Sequence, residues 1–216
     1  MKEFSTDYIL NNVELFSFDG DFLYAHIKWM QEDEQRLFIE HNRDKITTSK
    51  TYDWYKSFLN IAYTFAVHST CIRKQVGAVI VKDKRIISTG YNGVPSGVEH
   101  CNERFKNINV KEWADPNSEA ALMHHKFSSR YELHAEQNAI AFTAKTDSSP
   151  LEGATIFTTL SPCNDCAKLI KAAGIRTVVF DEPYDRDTSS LEFLKEAGIH
   201  VIPIRGDIHE NLQGNN

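Results

Sequence analysis

Four residues carry the strongest chemical signal in the chain. His134 and Glu136 stand two apart in His134-Ala135-Glu136, and further along Cys163 and Cys166 stand three apart in Pro162-Cys163-Asn164-Asp165-Cys166. Cysteines at that spacing near a helix N-terminus put two sulfurs on one face, where the helix dipole favours the thiolate that a metal binds. His134, from the preceding helix, supplies a third ligand. Three protein ligands leave one tetrahedral corner for water, which distinguishes a catalytic zinc site from a closed structural one. Glu136 need not be a ligand: its offset from His134 points it in a neighbouring direction, where a carboxylate can take a proton from water and pass it to a leaving amine. The chemistry this suits is hydrolytic deamination.

Each half of the pattern is weak alone, because Cys-x-x-Cys also serves redox chemistry or half of a structural zinc site and His-x-Glu arises by chance. Together, on helices that precede or follow strands, they match the arrangement in which zinc deaminases activate water for attack on the amino-bearing carbon of cytosine or adenine.

The elements that must position these groups are readable from periodicity. Tyr55, Phe58, Leu59, Ala62, Phe65 and Ala66 recur at spacings of three and four, which predicts a helix over 52–69 lying on a sheet. The hydroxyl-rich Thr47-Thr48-Ser49-Lys50 before it reads as a boundary. β-Branched runs at 75–82 and 85–91, separated by Asp83-Lys84, predict a hairpin. A long loop follows to about residue 115, then a helix before Arg130 and another over 134–145 that stops at Asp147-Ser148-Ser149-Pro150. A strand over 154–160, a helix over 162–173 closed by Gly174, a strand over 176–181, a helix over 189–197 closed by Gly198 and a strand over 199–204 complete the chain. This alternation predicts an α/β fold: a largely parallel sheet after a first antiparallel hairpin, with helices on both faces.

Composition bounds the function class. The chain has 216 residues, 41% hydrophobic and 25% charged, enough for one full core with or without an arm. With 24 Lys+Arg against 30 Asp+Glu its formal charge is -6, so it is not built as a whole to sit on nucleic acid or anionic lipid. Four cysteines are too few for a disulfide scaffold, no apolar run approaches a membrane span, and the start does not resemble a signal peptide, so a reduced, cytoplasmic protein is expected. Residues 1–50 hold ten acids against six bases and the apolar runs around Phe22, Trp29 and Phe38, and read as an extension docked on the core. Residues 51–208 read as the catalytic domain and 209–216 as a flexible tail.

From about Tyr52 to Arg205 the chain resembles the deoxycytidylate (dCMP) deaminases of the cytidine deaminase superfamily, most closely the phage and bacterial forms. The matching stretches are Val76-Gly77-Ala78-Val79-Ile80, Ile87-Ser88-Thr89-Gly90-Tyr91-Asn92-Gly93-Val94-Pro95-Ser96-Gly97, Leu133-His134-Ala135-Glu136-Gln137-Asn138-Ala139-Ile140 and Thr159-Leu160-Ser161-Pro162-Cys163. The resemblance implies a three-layer α/β/α fold with a five-stranded mixed sheet, a catalytic Zn2+ on His134, Cys163 and Cys166, and Glu136 as the proton carrier. It implies conversion of dCMP to dUMP and ammonia, a reaction that feeds thymidylate synthesis.

The same resemblance makes Asn92 the expected holder of the substrate sugar hydroxyl, with Ala135 and Ser161 also at the substrate. Read from residues alone, Gly90-Tyr91-Asn92-Gly93 serves equally as a strand-terminating turn. Arg73 and Lys74 are the candidates for gripping phosphate, whereas Lys82, Lys84 and Arg85 read as a solvated basic turn. Tyr184 follows a strand at its C-terminal end, where open α/β sheets place ligands; the resemblance puts it near the phosphate or base, and packing on a neighbouring subunit is the alternative. Similar phage enzymes carry a second, structural zinc, for which Cys71, Cys101 and His124 match three ligands; His125, His100 and His68 are alternatives for the fourth. A homo-oligomer, expected as a hexamer, with dCTP as activator and dTTP as inhibitor near Gly90, Tyr91 and Gly93, is implied by the resemblance alone.

The chain departs from typical members at its N-terminal arm and between Asn102 and Arg130. Two rivals share the motif. A nucleic-acid base deaminase would need a basic surface, against which the charge argues; an inactive zinc-stabilised interaction protein is disfavoured by the presence of Glu136.

Overall fold

The computed structural model describes residues 49–108, 115, 117–146, 150–184 and 189–204. The expected N-terminal extension and C-terminal tail lie outside these residues, apart from the start of the first helix. Among the described residues no helix is long and apolar enough to cross a membrane.

The first helix, α1, spans Ser49–Ala66, slightly earlier than its apolar stripe suggests. The hairpin follows as β1 (Gly77–Lys82) and β2 (Arg85–Tyr91), joined by Asp83 and Lys84 at φ 50° and 60°. Two successive positive φ values match the twist of flanking antiparallel strands, which is why two-residue hairpins use them. The predicted long loop contains a short helix, α2 (Cys101–Arg104), before α3 (Glu119–Tyr131). Then come α4 (Ala135–Thr146), β3 (Thr155–Leu160), α5 (Asn164–Ala172), β4 (Thr177–Glu182), α6 (Ser189–Glu196) and β5 (His200–Pro203). Gly174 and Gly198, at φ 79° and 74°, close α5 and α6 in the left-handed conformation expected of a helix stop.

The five strands form one sheet in the order β2-β1-β3-β4-β5. The β3–β4 and β4–β5 pairings are parallel, but β1 runs antiparallel to both β2 and β3. The sheet is thus mixed, as the resemblance implies: β1 runs against the other four strands, and its antiparallel pairing extends to β3 as well as to its hairpin partner. Among the described residues, three helices lie between β2 and β3, the return beside β1 is antiparallel, and α5 and α6 are the crossovers between parallel neighbours.

Period-two alternation splits the core into two layers. Ala78, Ile80, Ile156, Val178 and Phe180 face Ala135 and Ala139 of α4, Ala167 and Ile170 of α5 and Leu194 of α6. Val79, Val81, Phe157 and Val179 face Phe58, Leu59 and Ala62 of α1. Helices therefore cover both faces, and the architecture is the three-layer α/β/α arrangement.

The antiparallel placement of β1 has a functional consequence. Gly77 at its start pairs with Tyr91 at the end of β2, Ala78 pairs with Thr158 near the end of β3, and Leu160 pairs with Glu182 at the end of β4. One edge of the sheet thus gathers the loop before β1, the turn after β2, and the loops after β3 and β4.

Candidate functional site

At that edge α4 and α5 begin, and His134, Cys163 and Cys166 come together. Both helices start later than predicted, so two of the three groups lie at helix entries rather than inside helices: His134 directly precedes α4, and Cys163 is the extended N-cap of α5 at φ -76° and ψ 172°. Cys166 lies in the first turn and is buried. His134 Nδ1 is 3.3 Å from Cys163 Sγ and 3.4 Å from Cys166 Sγ. The three donor atoms lie within 4.8 Å of one another.

The electrostatics show one proton shared between the sulfurs. The hydrogen bond from Cys166 holds the Cys163 thiol down at about 4, helped by His134. That same bond, with burial, pushes the Cys166 thiol well up. His134 is raised to about 9, first by its bond to the Cys163 sulfur. Two sulfurs and an imidazole within hydrogen-bonding distance of one another are a donor set that suits zinc, with three protein ligands as in catalytic sites. Glu136 is 3% exposed. Burial raises its carboxyl, opposed by the positive charge of His134, and the carboxyl interacts with the Cys166 thiol.

Four features fix the start of α4. Leu133 and Gly93 form an isolated antiparallel bridge. Gln137 Oε1 accepts the His134 main-chain N–H at 2.9 Å, and Asn138 Nδ2 donates to the Tyr91 carbonyl at 2.9 Å. Gly90 lets the helix lie directly on β2, since a Cβ there would stand 2.3 Å from the Ala135 oxygen and 2.5 Å from the Ala139 nitrogen. Ala135 is fully buried, and as the first residue of α4 its N–H has no intrahelical partner.

The predicted substrate residues line the same edge. Asn92 is buried and fastens the loop before β1: its Oδ1 accepts Val76 N–H at 2.8 Å and its Nδ2 donates to the Lys74 carbonyl at 2.9 Å. Lys74 pairs with Glu182 at 3.1 Å, both half-exposed. Ser161 N donates to the Glu182 carbonyl at 2.8 Å, and Ser161 Oγ accepts Tyr184 N–H at 2.7 Å. Lys74, Asn92, Ser161 and Tyr184 therefore form one connected rim, with Arg73 beside Lys74. Lys82 and Lys84 lie at the far end of the hairpin, where Lys82 Nζ reaches the Pro150 carbonyl and Lys84 covers the Trp54 ring.

A second donor cluster lies behind the turn. Cys71, Cys101, His124 and Glu132 bring four ligand atoms within 4.8 Å of one another. Cys71 Sγ is 3.4 Å from His124 Nε2. The proton shared with Cys101 lowers Cys71 to about 3 and raises Cys101. Burial, then the charge of Cys71, lifts Glu132 to about 7, and its Oε1 is buried with no geometric hydrogen-bond partner among the described residues. The predicted alternatives are elsewhere: His100 Nδ1 meets Thr70 Oγ1 at 3.3 Å and the His68 ring lies 5.9 Å from that of Tyr91; His125 is exposed. Glu132, at the end of α3, was not singled out by sequence. The available signal was its position two residues before His134 in an extended segment, which aligns both side chains along one backbone.

Comparison with known proteins agrees with this geometry. The profile of the cytidine and deoxycytidylate deaminase zinc-binding region matches residues 52–182. The deoxycytidylate deaminase of Enterobacteria phage T4 is 40% identical over 169 residues, covering 68% of this chain and 87% of the phage protein. That of phage T2 is 37% identical over 180 residues, covering 71% and 94%. The dCMP deaminase of cyanophage S-TIM5, solved with dCMP and dUMP, superposes with a TM-score of 0.55 at 31% identity, over 69% of this chain and 95% of the cyanophage chain. The family match spans both halves of the motif, and the chain belongs to the cytidine and deoxycytidylate deaminase family.

Proposed function

We propose that this protein hydrolyses dCMP to dUMP and ammonia, with zinc held by His134, Cys163 and Cys166. The observation that carries the reading is the juxtaposition of these three donors with the buried Glu136 carboxyl. Zinc at such a site supplies Lewis-acid activation of water at neutral pH. Glu136 takes the proton that water loses, delivers one to ring N3 as the water oxygen bonds to C4, and gives the next to the departing amine. Burial raises its carboxyl toward the range where both transfers are efficient. Each turnover consumes one water, breaks the C4–N bond and leaves a carbonyl.

The rim supplies the rest of the nucleotide's contacts. Asn92 retains one amide hydrogen and one lone pair beyond its two backbone bonds, and offers them to the sugar hydroxyl. The Ala135 N–H and Ser161 face the base, while Arg73, Lys74 and Tyr184 receive the phosphate. The similarity to phage enzymes named for dCMP supports a monophosphate substrate. dUMP made in this way supplies thymidylate synthesis.

A second, structural zinc belongs to Cys71, Cys101, His124 and Glu132. The buried, unpartnered Glu132 oxygen supports the carboxylate as the fourth ligand. Assembly as a homo-oligomer, a hexamer, and control by dCTP and dTTP at Tyr91 and Gly93 complete the proposal, with Gly90 setting the packing of that turn on α4.

The test is a substrate panel of cytidine, dCMP, dCTP and 5-substituted dCMP, read as ammonia release by zinc-loaded protein, with dCTP and dTTP then added to the best substrate. Preference for dCMP is expected. Preference for cytidine would remove the phosphate assignment, and deamination of an oligonucleotide alone would replace the nucleotide reading.

A further inference from the structure

His134, read above as a zinc ligand, is held at its main chain by a neighbouring side chain. His134 offers the sulfurs Nδ1, the ring nitrogen closer to its own main chain, at 3.3 and 3.4 Å. A displacement of the His134 Cα therefore passes almost undiminished to the ligand atom. Metal–ligand distances tolerate only about 0.2 Å, so that displacement matters. Metal-ligating histidines are usually oriented by a hydrogen bond at the other ring nitrogen. Among the described residues, no group hydrogen-bonds Nε2 of His134, and the residue is exposed.

The main-chain N–H of His134 is one of the donors that the start of α4 leaves without an intrahelical partner. Gln137, three residues on, accepts it through Oε1 at 2.9 Å. This is the returning arm of a capping box, in which glutamine and glutamate serve alike. Leu133 is held to Gly93, and Asn138 to the Tyr91 carbonyl. Those contacts fix the chain on either side of the histidine. Among the described residues, Gln137 is the one whose side chain holds the histidine's own main chain.

We propose that Gln137 is a positioning residue for the metal centre: its carbonyl oxygen sets the main chain of His134 so that Nδ1 meets the metal. The proposal rests on the reading of His134, Cys163 and Cys166 as a zinc site. Gln137→Met keeps side-chain length and helix propensity but removes the acceptor; Gln137→Glu keeps the acceptor.

The experiment is zinc affinity by competition with a chelator, counting the portion of binding that Cys163→Ser abolishes, with the thermal midpoint of each zinc-free variant measured alongside. Gln137→Met is expected to weaken that portion by about tenfold. Gln137→Glu is expected to restore it at least to the parent value. Unchanged affinity in Gln137→Met, even with a lowered zinc-free midpoint, would make Gln137 a helix cap only and overturn the proposal. So would a Gln137→Glu as weak as Gln137→Met. A parent protein that binds no zinc would remove the metal centre itself, and this role with it.

Discussion

Gly93 and Leu133 exchange both of their main-chain hydrogen bonds, at 3.0 and 2.9 Å. The residues flanking Leu133 belong to different donor clusters, Glu132 to one and His134 to the other. One short extended segment, clamped at its centre to the turn after β2, thus carries a group of each candidate metal centre.

The two centres should nevertheless be separable. Glu132→Gln is expected to lower zinc content from about two to about one per chain, because a neutral amide is a poor fourth ligand beside two sulfurs and an imidazole. The loss should lower the thermal midpoint by roughly 5–10 °C. Elemental analysis with a thermal melt checks this, and two retained zinc ions would exclude Glu132 as a ligand.

Gly90→Ala tests the close approach of α4 to β2. The atoms a Cβ would meet are backbone atoms of Ala135 and Ala139, which move only if the helix moves. Overpacking of this kind costs about 1–3 kcal/mol. Since the displaced turn carries Glu136, turnover should fall together with stability. Chemical denaturation and steady-state rates on one preparation measure both, and an unperturbed variant would mean that the turn yields without cost.

Asn92→Ala should do more than weaken substrate binding. It strands the Val76 N–H and the Lys74 carbonyl in a part-buried setting, at about 1–3 kcal/mol. The loop bearing Arg73 and Lys74 would loosen, raising KM for dCMP. Urea denaturation separates the two roles: a raised KM with unchanged stability would mean that Asn92 acts on substrate alone.

The proposed catalytic quartet could be picked out of the sequence because its information is local. His134 and Glu136 share one short stretch, Cys163 and Cys166 another, and each stretch reads as a helix entry after or before a strand. The hairpin and the alternating helices were legible for the same reason. The β1–β3 pairing was not, since nothing in the β-branched runs encodes which strand edge a chain meets after passing through α2, α3 and α4. Glu132 escaped for a related reason: an acid at the end of a helix normally faces solvent. Its partners come from distant parts of the chain, Cys71 from the segment between α1 and β1 and Cys101 from the loop after Gly97. Asn92 was legible as a residue of the turn, but its grip on Lys74 and Val76 depends on β1 and β2 ending at the same sheet edge.

Zinc affinity at the His134 centre should rise with pH. In the zinc-free protein Cys166 is pushed up and His134 is raised to about 9, so both hold protons at neutral pH and must release them to bind metal. Linkage then requires the apparent affinity to strengthen between pH 6 and 8, by roughly tenfold or more per unit. Chelator competition across that range checks the slope, and a flat profile would contradict the proton inventory.

The most direct measurement compares the parent chain with Glu136→Gln at equal zinc content, following dCMP loss by ultraviolet absorbance and ammonia release in parallel. Under this mechanism one ammonia per dUMP is expected from the parent, and from the variant retained zinc and fold with a rate lower by about 10²–10⁴-fold, the usual contribution of a positioned acid–base group. A Glu136→Gln enzyme as fast as the parent, or a zinc-replete parent that leaves dCMP untouched, would contradict it.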